Sequence, residues 1–198
     1  MERTLQENNV KEKAERKASK KDKAALREQA KWMEAHDNAS KIPALAKDER
    51  EALQTQLDQL NLSIHPINPD GNCMFNAISH QLFFVHQVEM GQRMLRAMAV
   101  AQIEKDSTKY LPYLELDDDC DGLEEYCRRI ADGGMWGGQI ELDALSVALH
   151  TKIVVIQANL EPLEFDGSEE NKPSLYLAYQ KHAFTLGEHY DSLIKCSL

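Results

Sequence analysis

Apolar positions change their spacing several times along the chain, and each change marks an element. Residues 11 to 35, KEKAERKASKKDKAALREQAKWMEA, are rich in Ala, Lys and Glu with no Gly or Pro. Helix propensity there is high, yet no wide apolar stripe exists, which predicts a solvated helix or one that docks on a partner. Residues 48 to 61 read differently. Leu53, Leu57 and Leu60 recur on one helical face, behind acidic residues suited to a helix N-terminus. Ile64 to Asn68 is a short extended link held by Pro66 and Pro69.

Beyond it, Met74, Phe75, Ala77, Ile78, Leu82 and Phe83 predict a helix that opens near Cys73. A second helix is expected over 92–106, with Met94, Leu95, Met98 and Ile103 inward. A third covers 123–131 and stops at Asp132-Gly133-Gly134, and a fourth covers 139–150 through Ile140, Ala144, Leu145 and Ala148. Then the period shortens. Residues 152–157, KIVVIQ, form a short β-branched run that predicts a buried strand, and 175–179 alternates as a half-buried strand does. Residues 189–194 make a third strand, with 161–173 a polar connector. The pattern gives an α/β or α+β domain over 62–198, a small sheet flanked by helices, behind a helical extension over 1–61.

Length agrees with this division, since 198 residues hold one domain with an extension and not two full domains. Charge sharpens it. Residues 1–31 carry ten Lys/Arg against six Asp/Glu, a net +4, while the remainder carries 13 against 27, a net −14. A basic arm on an acidic body suits two partners of different character. Lys11 to Lys31 fits phosphate-backbone contact with RNA or a ribosome surface, or an acidic protein, and fits a solvated helix equally. No apolar run nears the roughly 18 residues of a membrane span, and the first ten residues lack the apolar core of a secretory leader. A cytoplasmic or nuclear location with no membrane contact is the expectation.

Cys73, Cys120, Cys127 and Cys196 form no C-x-x-C pair, so no zinc site is expected, nor any other metal or cofactor. If Cys120 and Cys127 share a helix they stand roughly 10 Å apart at about 1.5 Å per residue, beyond the roughly 7 Å a disulfide spans. Free thiols in a reducing compartment follow.

Cys73 is the candidate for chemistry. Most single cysteines are packing residues, but this one follows Asp70-Gly71-Asn72, where Gly and Asn both tolerate turn conformations. A thiol in the first turn of a helix meets the positive end of the macrodipole, which favours the thiolate. Turn N–H groups beside it suit a developing oxyanion.

A thiolate nucleophile needs a base and an orienter. Of the seven histidines, His36 lies in the polar arm, His65 precedes a proline, and His80 and His86 lie too far down the Cys73 helix. His150 ends a helix, where dipole reasons suffice. His182 has Phe184 two residues on, whereas His189 has Asp191, which shares its face on a strand. His189 is therefore the favoured base.

Three segments then carry a family resemblance. PDGNCMFNAISHQL (69–82) resembles the cysteine box of the ovarian-tumour (OTU) domain cysteine proteases, a family of deubiquitinases. WGGQIELDALS (136–146) resembles their middle motif, and GEHYDS (187–192) their histidine box, in order and register over about 64 to 195. The resemblance implies a papain-like α/β fold, Cys73 as nucleophile, His189 as general base, and an oxyanion hole from the backbone of Asp70, Gly71, Asn72 and Cys73. It implies Asp191 as orienter, with Asp70 shaping the loop or standing as the alternative third member. The charged arm resembles the subgroup with a long N-terminal extension. The departures are Met74, where Leu or Tyr is common, and Asn76, where Arg is.

The implied reaction is hydrolysis of the isopeptide bond between ubiquitin and lysine. Trp136 and Tyr190 are then candidates for the walls of a cleft around the ubiquitin tail, Trp136 being equally plausible as core. Glu188 and the acidic run Asp117–Asp121 are candidates for its arginines, although the run reads more simply as a solvated loop. The competing reading is a ubiquitin- or ribonucleoprotein-binding adaptor with a weak site. Retention of Cys73, His189 and Asp191 together argues for the enzyme.

Overall fold

A computed structural model describes residues 42–114, 122–133, 135–167, 172–184 and 187–196. The polar helix expected over 11–35, with Lys11 to Lys31, and the acidic run with Cys120 lie outside the described residues. The chain separates into two compact units, Met1–Ala44 and Leu45–Leu198. Of the first, only residues 42–44 are described, and they are helical.

The first helix, α1, runs over residues 42–59. Within the described residues it is already helical six residues before the acidic cluster expected to open it. Leu53 and Leu57 are buried, whereas Leu60, expected beside them, is exposed where the helix ends.

Five strands form one sheet in the order β1-β5-β4-β2-β3: β1 (Leu62–His65), β2 (Ile153–Gln157), β3 (Leu163–Phe165), β4 (Leu175–Phe184) and β5 (Gly187–Lys195). Only β2 and β4 pair in parallel. Two strands exceed expectation. The link after α1 begins with β1, whose Ser63 and Ile64 lie opposite Ile194 and Leu193, and the polar connector contains the three-residue edge strand β3. Neither has an apolar run long enough to announce itself.

Helices cover both faces of the sheet. They are α2 (Cys73–His86), α3 (Gln92–Lys105), α4 (Ser107–Tyr110, continued by a 3-10 turn over Leu111–Tyr113), α5 (Leu123–Ala131) and α6 (Gln139–Ala148). In β2, Ile153 and Val155 join Phe75, Ile78, Leu142 and Leu145 on one face, while Val154 and Ile156 join Leu53 and Leu57 on the other. A strand covered on both faces reads as an unbroken β-branched run, which is the pattern of its sequence. Burying Leu53 and Leu57 stabilises the fold by about 1.5–3 kcal/mol each. Thus the 48–61 segment, assigned by sequence to the extension, forms the second layer of the sheet.

Two inward positions differ from the sequence pattern. Phe83 is exposed, and Gln81 is buried in its place. Gln81 donates to Ser192 Oγ (2.8 Å) and the Leu193 carbonyl (2.5 Å) and accepts from the Tyr176 N–H (2.8 Å), so its amide is satisfied against the sheet. Met94 is exposed as well, and Arg96 is buried.

Candidate active site

Asn72 is the N-cap of α2, so Cys73 is the helix's first residue, partly accessible at its positive end. The Asn72 side chain makes no capping hydrogen bond, although Asn is among the best capping residues. Its Oδ1 accepts instead from Arg96, from Nε at 3.2 Å and Nη2 at 3.0 Å.

The loop before Cys73 is an Asx turn. Asp70 Oδ1 accepts the Asn72 N–H at 2.7 Å and approaches Asn76 Nδ2 at 3.4 Å. The four N–H groups expected to be free are mostly engaged. Asp70 donates to the Asn68 carbonyl (2.8 Å), Asn72 to Asp70 Oδ1, and Cys73 to the Asp70 carbonyl (3.2 Å). Of these four, only the Gly71 N–H finds no acceptor among the described residues. The loop is therefore self-bonded rather than an open cradle, because Asp70 supplies two local acceptors.

His189 comes from β5 and is buried, with its ring edges between two partners. Nε2 lies 3.1 Å from Asp191 Oδ1, and the nearby Cys73 also favours the charged ring. Burial alone would depress the imidazole. The hydrogen bonds to Asp191 and Cys73, with the charge on each, outweigh it and push the pKa up to about 9.

Asp191 is buried and itself tied down. Oδ1 accepts the Ile67 N–H at 2.8 Å, and Oδ2 accepts Gln180 Nε2 at 2.9 Å. Asp191, not Asp70, is thus the carboxylate on the imidazole, while Asp70 shapes the loop before Cys73. Gln180 lies opposite His189 on β4. Sequence reading missed it, because cross-strand register is invisible before the sheet is known.

The remaining candidates separate. Trp136 is 52% exposed. Its ring stands over both loops of the site, 3.5 Å (Nε1) from where a Cβ on Gly71 would sit and 3.9 Å (Cζ3) from one on Gly187. It also borders a cavity of about 1120 Å³ shared with Tyr113, Tyr126 and Phe165. Tyr190, considered for the same wall, is 8% exposed and packs in the core, its ring 5.0 Å from that of Tyr179. Glu188 is exposed and accepts from the Tyr179 hydroxyl.

Three of the histidines set aside have other partners. His182 pairs with Glu49 of α1 (Nδ1 to Oε2, 3.4 Å), whose carboxylate also accepts the N–H groups of Lys181 and His182. His80 stacks on His65 with centroids 3.8 Å apart and bonds Ser192 Oγ at 2.7 Å.

A thiol at a helix N-terminus, an imidazole on it and a buried carboxylate behind define a cysteine hydrolase of the papain-like kind. Comparison with known proteins narrows the class. The family model described as "OTU-like cysteine protease" matches residues 68–190, and the chain belongs to that family. It is 37% identical over 154 residues to "Deubiquitinase OTUD6B" of Xenopus laevis, covering 73% of this chain and 50% of the relative. It is 33% identical over 188 residues to the Homo sapiens protein of the same name, covering 92% and 63%. The chain thus spans about half to two thirds of the length of these relatives. Among solved structures, "Structure of OTUD1 OTU domain" superposes with a TM-score of 0.59 at 25% identity, covering 76% of this chain and 97% of that one. An OTU deubiquitinase from Wolbachia pipientis, solved bound to ubiquitin, superposes at 0.53 with 15% identity, covering 69% and 97%, and shows the shared fold.

Proposed function

We propose that the chain is a deubiquitinase that hydrolyses isopeptide bonds between ubiquitin and lysine. The observation that carries this is a partly accessible Cys73 at the N-terminus of α2, electrostatically coupled to a buried His189 that Asp191 holds at 3.1 Å. Family membership and relatives named as deubiquitinases supply the substrate.

The chemistry follows from the groups present. Cys73, having given its proton to His189, attacks the carbonyl of ubiquitin's terminal glycine, and the C=O pair moves onto oxygen. The tetrahedral intermediate collapses as His189 protonates the departing lysine amine, leaving a thioester on Cys73. His189 then takes a proton from water, whose oxygen attacks the thioester, and the thiolate leaves. Asp191 keeps the imidazole oriented and favours its charged form throughout. Trp136 forms one wall, close enough to Gly71 and Gly187 to favour a tail without side chains. Glu188 is a candidate for the basic part of that tail.

The test uses ubiquitin bearing a C-terminal cysteine-reactive group. A covalent adduct that disappears in Cys73→Ala is expected. No adduct from folded wild type, or one that survives Cys73→Ala, overturns the reading.

We propose further that the basic arm, Lys11 to Lys31, directs the enzyme to a ribonucleoprotein or ribosome surface in the cytoplasm. The split between a +4 arm and a −14 remainder supports this. Unchanged particle binding after Lys20, Lys21 and Lys23 are replaced by Glu would refute it.

A further inference from the structure

Arg96 is a charged side chain with 1% exposure, and no carboxylate hydrogen-bonds it. All five of its N–H donors are used on neutral oxygens. Nε and Nη2 share Asn72 Oδ1, Nη2 also reaches the Gly71 carbonyl (3.0 Å), and Nη1 reaches the carbonyls of Ile130 (2.8 Å) and Met135 (3.0 Å). Its guanidinium carbon lies 4.2 Å from the Phe75 ring centroid. Three of the five bonds therefore go to the two residues before Cys73, and one to the residue before Trp136.

This pattern fixes a peptide plane. In a trans peptide the carbonyl and the following N–H point in opposite directions. With the Gly71 carbonyl drawn inward to Arg96, the Asn72 N–H is turned away from the guanidinium. There it donates to Asp70 Oδ1 at 2.7 Å, so a negatively charged oxygen already occupies that position. On the far side, Glu141 Oε2 accepts the Gly138 N–H (2.8 Å) and Oε1 accepts the Tyr126 hydroxyl (2.6 Å). The segment carrying Trp136 is thereby held at both ends.

We propose that Arg96 is a positioning residue. It locks the Gly71–Asn72 peptide so that the Asn72 N–H faces the transition-state oxyanion, which takes the place of the Asp70 carboxylate, and it ties this loop to the Trp136 segment. The inference rests on the reading of Cys73 as the nucleophile. Lysine cannot substitute, because three donors on one nitrogen cannot span acceptors on two loops.

The test compares wild type, Arg96→Lys, Asn72→Ala and the double variant on ubiquitin carrying a fluorogenic C-terminal amide. Iodoacetamide alkylation of Cys73, resolved by peptide mass, and amide hydrogen exchange run in parallel. Alkylation at a saturated carbon forms no oxyanion, so it reports the thiol alone. In Arg96→Lys we expect kcat to fall roughly 10²-fold, as when one oxyanion donor is lost. KM and the pH profile of alkylation should stay near wild type, and exchange at Gly71–Cys73 should speed up. Asn72→Ala should lower kcat less, and the double variant should be no worse than Arg96→Lys, since both break one linkage. Should Arg96→Lys fail to fold, Asn72→Ala still decides through its kcat and loop exchange, because its side chain is only partly buried. Unchanged kcat and exchange in the folded variants, or kcat and alkylation falling together, would overturn the inference. Hydrolysis surviving in Cys73→Ala would instead overturn the site itself.

Discussion

Gln180 donates its amide to Asp191 Oδ2 at 2.9 Å, so the carboxylate behind His189 is fixed by the neighbouring strand as well as its own. The Ile67 N–H and His189 share the other oxygen, at 2.8 and 3.1 Å. Removing the carboxylate deprives the imidazole of its orientation and its counter-charge. Asp191→Asn is expected to lower kcat by roughly 10²–10⁴-fold with KM little changed. Gln180→Ala removes one hydrogen bond to a charged group, about 1.5–3 kcal/mol, and should cost roughly tenfold in kcat. Steady-state kinetics on a fluorogenic ubiquitin substrate checks both. Equal effects of the two substitutions would contradict the ranking.

The charge on His189 sets the alkaline limit of the reaction. Its pKa, pushed up to about 9 by Asp191 and Cys73 against burial, keeps the imidazolium populated below that pH. In the proposed reaction the proton destined for the leaving amine is lost as pH rises through about 9, and turnover should fall there. Stability has the same sign. A raised histidine pKa contributes fully below the ordinary value of about 6.5, and the contribution disappears as pH passes the folded value. In Asp191→Asn the counter-charge is gone, and the alkaline limb should move down by about 1–2 pH units. A pH–kcat profile of both proteins measures this, and an unmoved limb would mean that Asp191 does not set the charge on His189.

Which parts of this site were legible in the sequence follows from how far each signal reaches. Cys73 behind a Gly-Asn turn and His189 two residues from Asp191 are local patterns, and a helix start and a strand period were enough to single them out. The helices over 92–105 and 123–131 and the run 153–157 were legible for the same reason. Gln180, Arg96 and Gln81 act across the fold, and periodicity misassigns or overlooks them. Arg96 takes an interior position where Met94 was expected because five oxygens from two loops converge on it. Helix α1 was divided from the domain because its stripe of Leu53, Leu57 and Leu60 does not show what it covers, and that apolar surface comes from strands about a hundred residues later.

Gly137 tests the contact between the Trp136 segment and the start of α2. A Cβ there would meet the Met74 methyl and lie 2.9 Å from Phe75 Cε2, both buried. The backbone can pass this close only without a side chain. Gly137→Ala forces the segment or the first turn of α2 to move, at about 1–3 kcal/mol of stability. Because that turn carries Cys73, activity should fall more than stability alone dictates at temperatures where the variant is folded. Thermal denaturation and kcat on the same preparation check this, and unchanged values in both would show that the contact yields freely.

Helix α1 makes the boundary of the folded unit testable. Its Leu53 and Leu57 cover Val154, Ile156, Ala178 and Leu193, and Glu49 accepts the N–H groups of Lys181 and His182 at 2.8 Å each. Without the helix, one face of the sheet would meet water. Leu53→Ala is expected to cost about 2–5 kcal/mol, the usual range for a fully buried leucine. Glu49→Ala leaves two strand N–H groups without their acceptor and should cost less, about 1–3 kcal/mol, because water can reach that end. A chain of residues 62–198 lacks the whole layer and should be unfolded or aggregated, whereas 42–198 should unfold cooperatively. Circular dichroism with urea titration distinguishes them. A cooperative transition in the 62–198 chain, at the midpoint of the longer one, would place α1 outside the folding unit despite its buried leucines.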